Sequence, residues 1–260
     1  MTNRLYHETR GQGPDLVLLH GWGMNSAVWR GLPADLALGH RLMAIELPGH
    51  GGSPWDPAWQ GLDDWVDACL AVAPARACWI GWSLGGLVAL AAARRAPARL
   101  SGLILLTASP RFAQAADWPA AMPSVTLARF HDGLLADTAG TLERFLALQV
   151  RGSEAARETL RRLRRELAER PAPDLRALAL GLDLLRDTDL RSVLPGLACP
   201  SLWLFGERDT LVPATVASDI AGLMPEARVQ VIPRAAHAPF LSHPAETTAA
   251  LLSFLWEMET

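Results

Sequence analysis

The chain contains no lysine: all 24 basic residues are arginine. That absence excludes Schiff-base catalysis, a phosphate-binding loop built on lysine and a Ser-Lys dyad. Cysteine is scarce too. Cys69, Cys78 and Cys199 are an odd number with no C-x-x-C spacing, which argues against a disulfide framework or a zinc site and for buried thiols. No excess charge of one sign is present. A formal net charge of -3 supplies no global field for nucleic acid or an anionic membrane. No apolar stretch reaches the length that spans a bilayer, and the polar start from Met1 to Gly13 lacks the apolar core of a signal peptide. The expectation is a soluble, cytoplasmic protein.

What is present suits a large core. With 260 residues, half of them hydrophobic, the chain fits one large domain, or a domain carrying an insertion, and can bury about three quarters of its unfolded surface. Its organising stretch is Gly81-Trp82-Ser83-Leu84-Gly85. An apolar run from Ala77 to Trp82 precedes it and an Ala/Leu-rich helical stretch from Leu84 to Arg95 follows. Serine between glycines at this spacing lets a strand turn sharply into a helix, with the hydroxyl raised above the sheet edge and helix N-terminal amides beside it.

Other elements follow the same alternation. Leu16 to His20, Arg41 to Leu47, Leu100 to Thr107, Ser201 to Phe205 and Arg228 to Ile232 read as strands. Ser26 to Leu38, Leu62 to Val72 and Pro244 to Met258 read as helices. This predicts an α/β fold with a mostly parallel central sheet and helices on both faces, ligands being bound at the carboxyl ends of the strands. From Arg111 to Arg191 the pattern turns helical, with no strand candidate. The division expected is a core of residues 1–110 and 192–260 and a helical cap of residues 111–191.

Serine alone is a poor nucleophile at neutral pH and needs a base held by a third group. In the order serine, acid, histidine, the acid should follow a late strand. Asp209 does, after Leu202 to Phe205; Asp187 and Asp189 are rivals without a preceding strand, and Glu207 would point away if Asp209 points in. For the base, His237 lies in the loop after Arg228 to Ile232. His243 is the nearest rival, but His243-Pro244-Ala245-Glu246 resembles a helix start. His7, His40, His50 and His131 have no such placement. In His20-Gly21-Trp22-Gly23, Trp22 reads either as a core aromatic or as a pocket wall whose backbone N–H supplies an oxyanion donor. His20 reads as a hydrogen-bonding loop residue, and Pro48 to Ser53 as a structural turn.

These motifs together resemble the α/β-hydrolase superfamily. His20-Gly21-Trp22-Gly23, Gly81-Trp82-Ser83-Leu84-Gly85-Gly86-Leu87, Glu143-Arg144-Phe145-Leu146-Ala147-Leu148-Gln149 and Ala235-Ala236-His237-Ala238-Pro239-Phe240, followed by Ser242-His243-Pro244-Ala245-Glu246, are similar to one family within it, the pimeloyl-[acyl-carrier protein] methyl ester esterases of biotin synthesis. The resemblance implies Ser83, Asp209 and His237 as the catalytic triad and the Trp22 and Leu84 amides as the oxyanion hole. Substrate would be bound by Trp22, Ser83, Leu84, His237 and the channel residues Phe145, Leu146, Ala147, Leu148 and Gln149. It further implies that Arg144, Arg157 and Arg161 dock the acyl carrier protein, while Gly140 stands where the family has another arginine.

Read without that resemblance, Arg157, Arg161 and Arg164 form a solvated helix face neutralised by Glu154, Glu158 and Glu166. The expected activity is hydrolysis of the methyl ester of a carrier-bound pimeloyl chain, by a monomer and with no metal or cofactor. A broad short-chain carboxylesterase or a carbon–carbon bond hydrolase would use the same triad. A non-catalytic ligand-binding relative is the alternative of a different class.

Overall fold

A computed structural model describes residues 4–32 and 34–259; Met1 to Asn3 of the polar N-terminal stretch, Pro33 within the predicted first helix, and Thr260 lie outside the described residues. In chain order the elements are β1 (His7–Arg10), β2 (Asp15–Leu19), α1 (Ala34–Gly39), β3 (Arg41–Ile45), α2 (Leu62–Val72), β4 (Ala77–Trp82), α3 (Leu84–Arg95) and β5 (Leu100–Leu106). Four consecutive helices follow: α4 (Ser124–Ala136), α5 (Thr138–Val150), α6 (Ala156–Ala168) and α7 (Leu175–Asp187). The chain then returns with β6 (Ser201–Gly206), α8 (Val216–Leu223), β7 (Arg228–Ile232), α9 (Pro239–Ser242) and α10 (Pro244–Glu259).

The strands form one seven-stranded sheet in the order β1-β3-β2-β4-β5-β6-β7, antiparallel only at β1. Side chains alternate across each central strand, and here both faces are apolar. Val17, Leu19, Trp79, Leu103 and Leu105 enter one core cluster, while Leu16, Leu18, Ile80, Ile104 and Leu106 enter the other. That two-sided burial is why these strands read as unbroken hydrophobic runs.

Two local readings need correction. The predicted helix from Ser26 to Leu38 is instead a 3-10 turn, Ser26–Gly31, followed by the short α1. Asn25 is the cap, its side chain accepting from the Ala27 N–H, and Leu32 is extended at ψ 135° because the next residue is proline. The strand predicted from Arg41 to Leu47 ends at Ile45. Glu46 turns its buried carboxylate onto Ser26, whose hydroxyl donates at 2.7 Å, and onto the Gly52 N–H. Strand β1 is an addition, since its His-Glu-Thr-Arg sequence has too little apolar character to signal an edge strand.

Between β5 and β6 the four helices run from Ser124 to Asp187, and the stretch of this segment before them carries the isolated bridges Ala113–Met122 and Ala115–Trp118. Its two ends are tied together. The Leu190 N–H donates to the Pro110 carbonyl at 2.9 Å, and Arg111 pairs with Asp189 at 2.8 Å. Helix α4 packs on α5 and α7, α5 on α6, and α7 reaches α3 below.

The packing of α3 against the sheet depends on glycine. A Cβ at Gly85 would lie 2.2 Å from the Leu19 carbonyl oxygen, and one at Gly81 2.4 Å from the Gly85 carbonyl oxygen. Both obstacles are backbone and cannot rotate away. We therefore expect Gly85→Ala to lower the urea midpoint by the equivalent of about 2 kcal/mol or more, whereas Gly39→Ala, which meets nothing within 4 Å, should leave it within about 0.5 kcal/mol.

Candidate active site

Ser83 sits between β4 and α3 with φ 55° and ψ -118°, a conformation L-residues rarely adopt. Its N–H is held by the Leu106 carbonyl at 3.0 Å, and its own carbonyl accepts from the Gly86 and Leu87 N–H groups. These bonds fix the turn, and the glycines around it let strand, helix and neighbouring strand approach. A Cβ at Gly86 would come within 2.4 Å of the Ala108 Cβ. Ser83 thereby stands at the carboxyl end of a central strand, 3 % exposed.

Asp209 and His237 come together from the loops after β6 and β7. His237 Nδ1 lies 2.7 Å from Asp209 Oδ2, both side chains buried. The other carboxylate oxygen accepts from the Leu211 and Val212 N–H groups at 2.8 and 3.0 Å, so Asp209 is oriented by the backbone of its own loop. The two loops are close-packed: the Arg208 N–H donates to the Ala235 carbonyl, and a Cβ at Gly206 would meet the Ala236 carbonyl oxygen at 2.2 Å. With Nδ1 committed to Asp209, His237 Nε2 is buried and has no hydrogen-bond partner among the described residues. No hydrogen bond from it to Ser83 is closed; contacts of this kind are often long in the absence of a ligand.

The rivals are occupied elsewhere. Asp187 pairs with Arg186, and Asp189 with Arg111 and Arg191. Glu207 accepts from the Arg234 N–H, and His243 contacts the Ser242 hydroxyl at 2.9 Å.

His237 is also held from behind. Its carbonyl accepts from Trp82 Nε1 at 2.8 Å and from Thr107 Oγ1 at 2.7 Å, and its N–H donates to the Gln149 carbonyl of α5 at 3.0 Å. Thr107 is buried, with φ 42°. Sequence reasoning missed Thr107 and this role of Trp82, because both act through the backbone of a residue more than a hundred positions away.

The glycine loop after β2 lies against the serine turn: a Cβ at Gly21 would be 3.4 Å from the Ser83 Cβ. Neither the Trp22 nor the Leu84 N–H has an acceptor among the described residues. The Trp22 indole is fully buried, donating from Nε1 to the Leu178 carbonyl at 2.8 Å and packing edge-on to Phe145 at 4.7 Å.

Along α5 the five predicted channel residues diverge, as a helix requires. Phe145 meets Trp22 and Phe130; Leu146 enters the core cluster on the other side of the sheet; Ala147 is exposed. Leu148 and Ala147 line an outer groove of about 410 Å³ with Arg129 and Arg144. Gln149 is buried, its Oε1 unpartnered and its carbonyl on His237.

Of the predicted docking arginines, Arg144 bonds the Thr141 hydroxyl at 2.7 Å and lies 3.7 Å from Asp137. Arg157 and Arg161 are exposed and make no ion pair or hydrogen bond among the described residues. Of the three glutamates expected to neutralise them, Glu154 pairs with Arg208 and Arg234 and Glu166 with Arg162 and Arg165, while Glu158 makes no ion pair among the described residues. Arg164 is neutralised by Glu143.

The family model for the alpha/beta hydrolase fold matches residues 14–244. The chain belongs to the α/β-hydrolase family. Among its relatives, a pimeloyl-[acyl-carrier protein] methyl ester esterase of Stenotrophomonas maltophilia is 47% identical over 96% of this chain and 96% of its own length. One of the same name from Aliivibrio fischeri is 43% identical over 98% of each. Among solved structures, an esterase from Exiguobacterium antarcticum superimposes with a TM-score of 0.87 at 21% identity, over 98% of this chain and 96% of that one, a likeness of fold alone. Among the described residues no group of His, Cys, Asp and Glu side chains has the arrangement of a metal site.

Two histidines of this hydrolase are buried neutral beside the site. Burial pushes His20 down to about 4 and His50 down to about 3, the latter assisted by its neighbour His20. Because both folded values lie below the ordinary 6.5, the unfolded chain binds more protons than the folded one between them. Their contribution to stability is present in full above pH 6.5 and is lost as pH falls towards 4 and then 3. Urea unfolding followed between pH 7 and 4 should show the loss, and His50→Gln should reduce proton uptake on unfolding by about one.

Proposed function

We propose that this hydrolase cleaves the methyl ester of pimeloyl-[acyl-carrier protein], releasing methanol and the carrier-bound free acid used in biotin synthesis. The observation that carries the reading is the buried Asp209–His237 pair at 2.7 Å, with His237 Nε2 unpartnered among the described residues and its ring 5.9 Å from that of Trp82, the residue before the strained Ser83. The names of the relatives support the substrate.

Ser83 Oγ attacks the ester carbonyl while His237 Nε2 takes its proton; Asp209 fixes the tautomer and stabilises the imidazolium. The Trp22 and Leu84 N–H groups bind the tetrahedral oxyanion, the second reinforced by the α3 N-terminus. His237 then protonates the departing methoxide, and methanol leaves an acyl-serine. Water, deprotonated by the same imidazole, repeats the sequence and frees Ser83. No step calls for a metal or cofactor.

Residues 111–191 serve as the cap, with Phe145 against Trp22 and Gln149 against His237 as the α5 residues along the acyl path. The exposed arginines of this segment receive the acidic carrier, and those without any partner among the described residues, Arg129, Arg151, Arg157 and Arg161, supply the least-neutralised charge. Attraction of this kind raises encounter rates and weakens with salt. One chain provides every reacting group, so the working unit is a monomer. The free cysteines Cys69, Cys78 and Cys199 fit a reducing cytoplasm.

Ser83→Ala should abolish turnover of pimeloyl methyl ester with the fold retained by circular dichroism; near-normal turnover would end the assignment. Wild type should prefer that ester over short p-nitrophenyl esters in kcat/KM. The triple charge reversal Arg144→Glu, Arg157→Glu, Arg161→Glu should lower the selectivity for carrier-linked over free ester about tenfold or more at low salt, the difference closing as salt rises. Unchanged selectivity at low salt would remove the docking role.

A further inference from the structure

We propose that His20 and His50 are positioning residues that clamp the two peptide planes flanking Trp22 and so aim its N–H at the oxyanion site. The inference rests on the reading of Trp22 as an oxyanion donor and adds how that donor is held.

A trans peptide carries its C=O and N–H on opposite sides, and no cis peptide occurs among the described residues. Fixing the Gly21 carbonyl therefore fixes the direction of the Trp22 N–H. That carbonyl accepts from His20 Nδ1 at 2.8 Å and from the Met24 N–H at 3.2 Å. The Trp22 N–H must point the other way, and on Gly21 the neighbouring surface is the Trp82 ring and the Ser83 Cβ, 3.3 to 3.4 Å from where a Cβ would stand.

The next plane is held by the other ring. The Gly23 N–H donates to His50 Nε2 at 3.3 Å, with Gly23 at φ 69°. Trp22 thus sits between one peptide anchored by its carbonyl and one anchored by its amide, and rotation of either would break a buried hydrogen bond and leave a buried polar group unpaired.

Each clamp requires a single tautomer. His20 Nε2 accepts from the Leu47 N–H at 3.0 Å, so its proton lies on Nδ1, facing the Gly21 carbonyl. His50 Nδ1 donates to the Pro48 carbonyl at 2.9 Å, leaving Nε2 as the acceptor that Gly23 needs. The rings lie 5.2 Å apart, with Trp65 at 6.0 Å from His50 and the Glu46 and Asp174 carboxylates as the charged groups acting on it. Both histidines are fully buried and touch no reacting atom; they act through Trp22. The turn from Pro48 to Ser53 is in this sense more than a connection.

The comparison of His50→Phe, which keeps an aromatic ring but removes the acceptor, with His50→Gln, whose Oε1 can replace it, tests the clamp. Loss of a whole oxyanion donor costs about 100- to 1000-fold in kcat, so a misaimed one should cost about 10- to 100-fold. We expect His50→Phe to lose that factor in kcat with KM within about twofold, and to weaken a boronic acid inhibitor, which mimics the tetrahedral state, by the same factor. His50→Gln should recover most of both. Should His50→Phe fold and bind the boronic acid as tightly as wild type with kcat unchanged, the clamp is wrong.

Wild-type protein gives a second test that needs no variant to fold. ¹⁵N NMR of the imidazoles at pH 7 should show both rings neutral with the proton on Nδ1, and an Nε2–H tautomer or a cation at either would overturn the proposal. Absence of ester turnover in wild type would instead count against the functional reading, and the NMR result would still decide the clamp.

Discussion

An imidazole takes a proton from a serine efficiently when its other nitrogen is committed to something that will not move. In this hydrolase that commitment is the 2.7 Å contact between His237 Nδ1 and Asp209 Oδ2, and much of the surrounding architecture maintains it. Asp209 is held by two amides of its own loop, and His237 by Trp82, Thr107 and Gln149 through its backbone. Removal of one member of such a buried pair leaves the other unsatisfied in a medium of low polarity, so the site and the local fold are stabilised by the same interactions.

The Gln149 contact links that centre to the helices above it. Phe145, one turn earlier on α5, meets Trp22 edge-on, while Trp22 bonds the Leu178 carbonyl of α7. A shift of α5 would therefore be felt at once by the base and by the loop carrying the proposed oxyanion donor. In physical terms the four helices between β5 and β6 are part of the site's packing.

Much of this was legible in the residues. Strands buried on both faces announce themselves as continuous apolar runs, and the serine turn by glycines that packing does not allow to be replaced. Asp209 and His237, which the structure brings to 2.7 Å of each other, could be singled out because each follows such a run. What stayed hidden depends on partners distant in sequence. Strand β1 owes its existence to β3 rather than to its own polar residues. Leu32 leaves the helix because of the proline after it, and Glu46 leaves its strand to satisfy Ser26 and Gly52. His50 has no sequence pattern to mark it, since its acceptor faces a glycine 27 positions earlier. Which arginines are neutralised was equally unreadable: Glu143, rather than a neighbour on α6, takes Arg164, and Arg157 has no partner among the described residues.

Reaction with a fluorophosphonate, followed by peptide mass spectrometry, probes the central pairing most directly. The account predicts a single phosphonyl adduct on Ser83, forming at least about 1000-fold more slowly in His237→Gln. An adduct on another residue, no adduct, or an equal rate in that variant would contradict it.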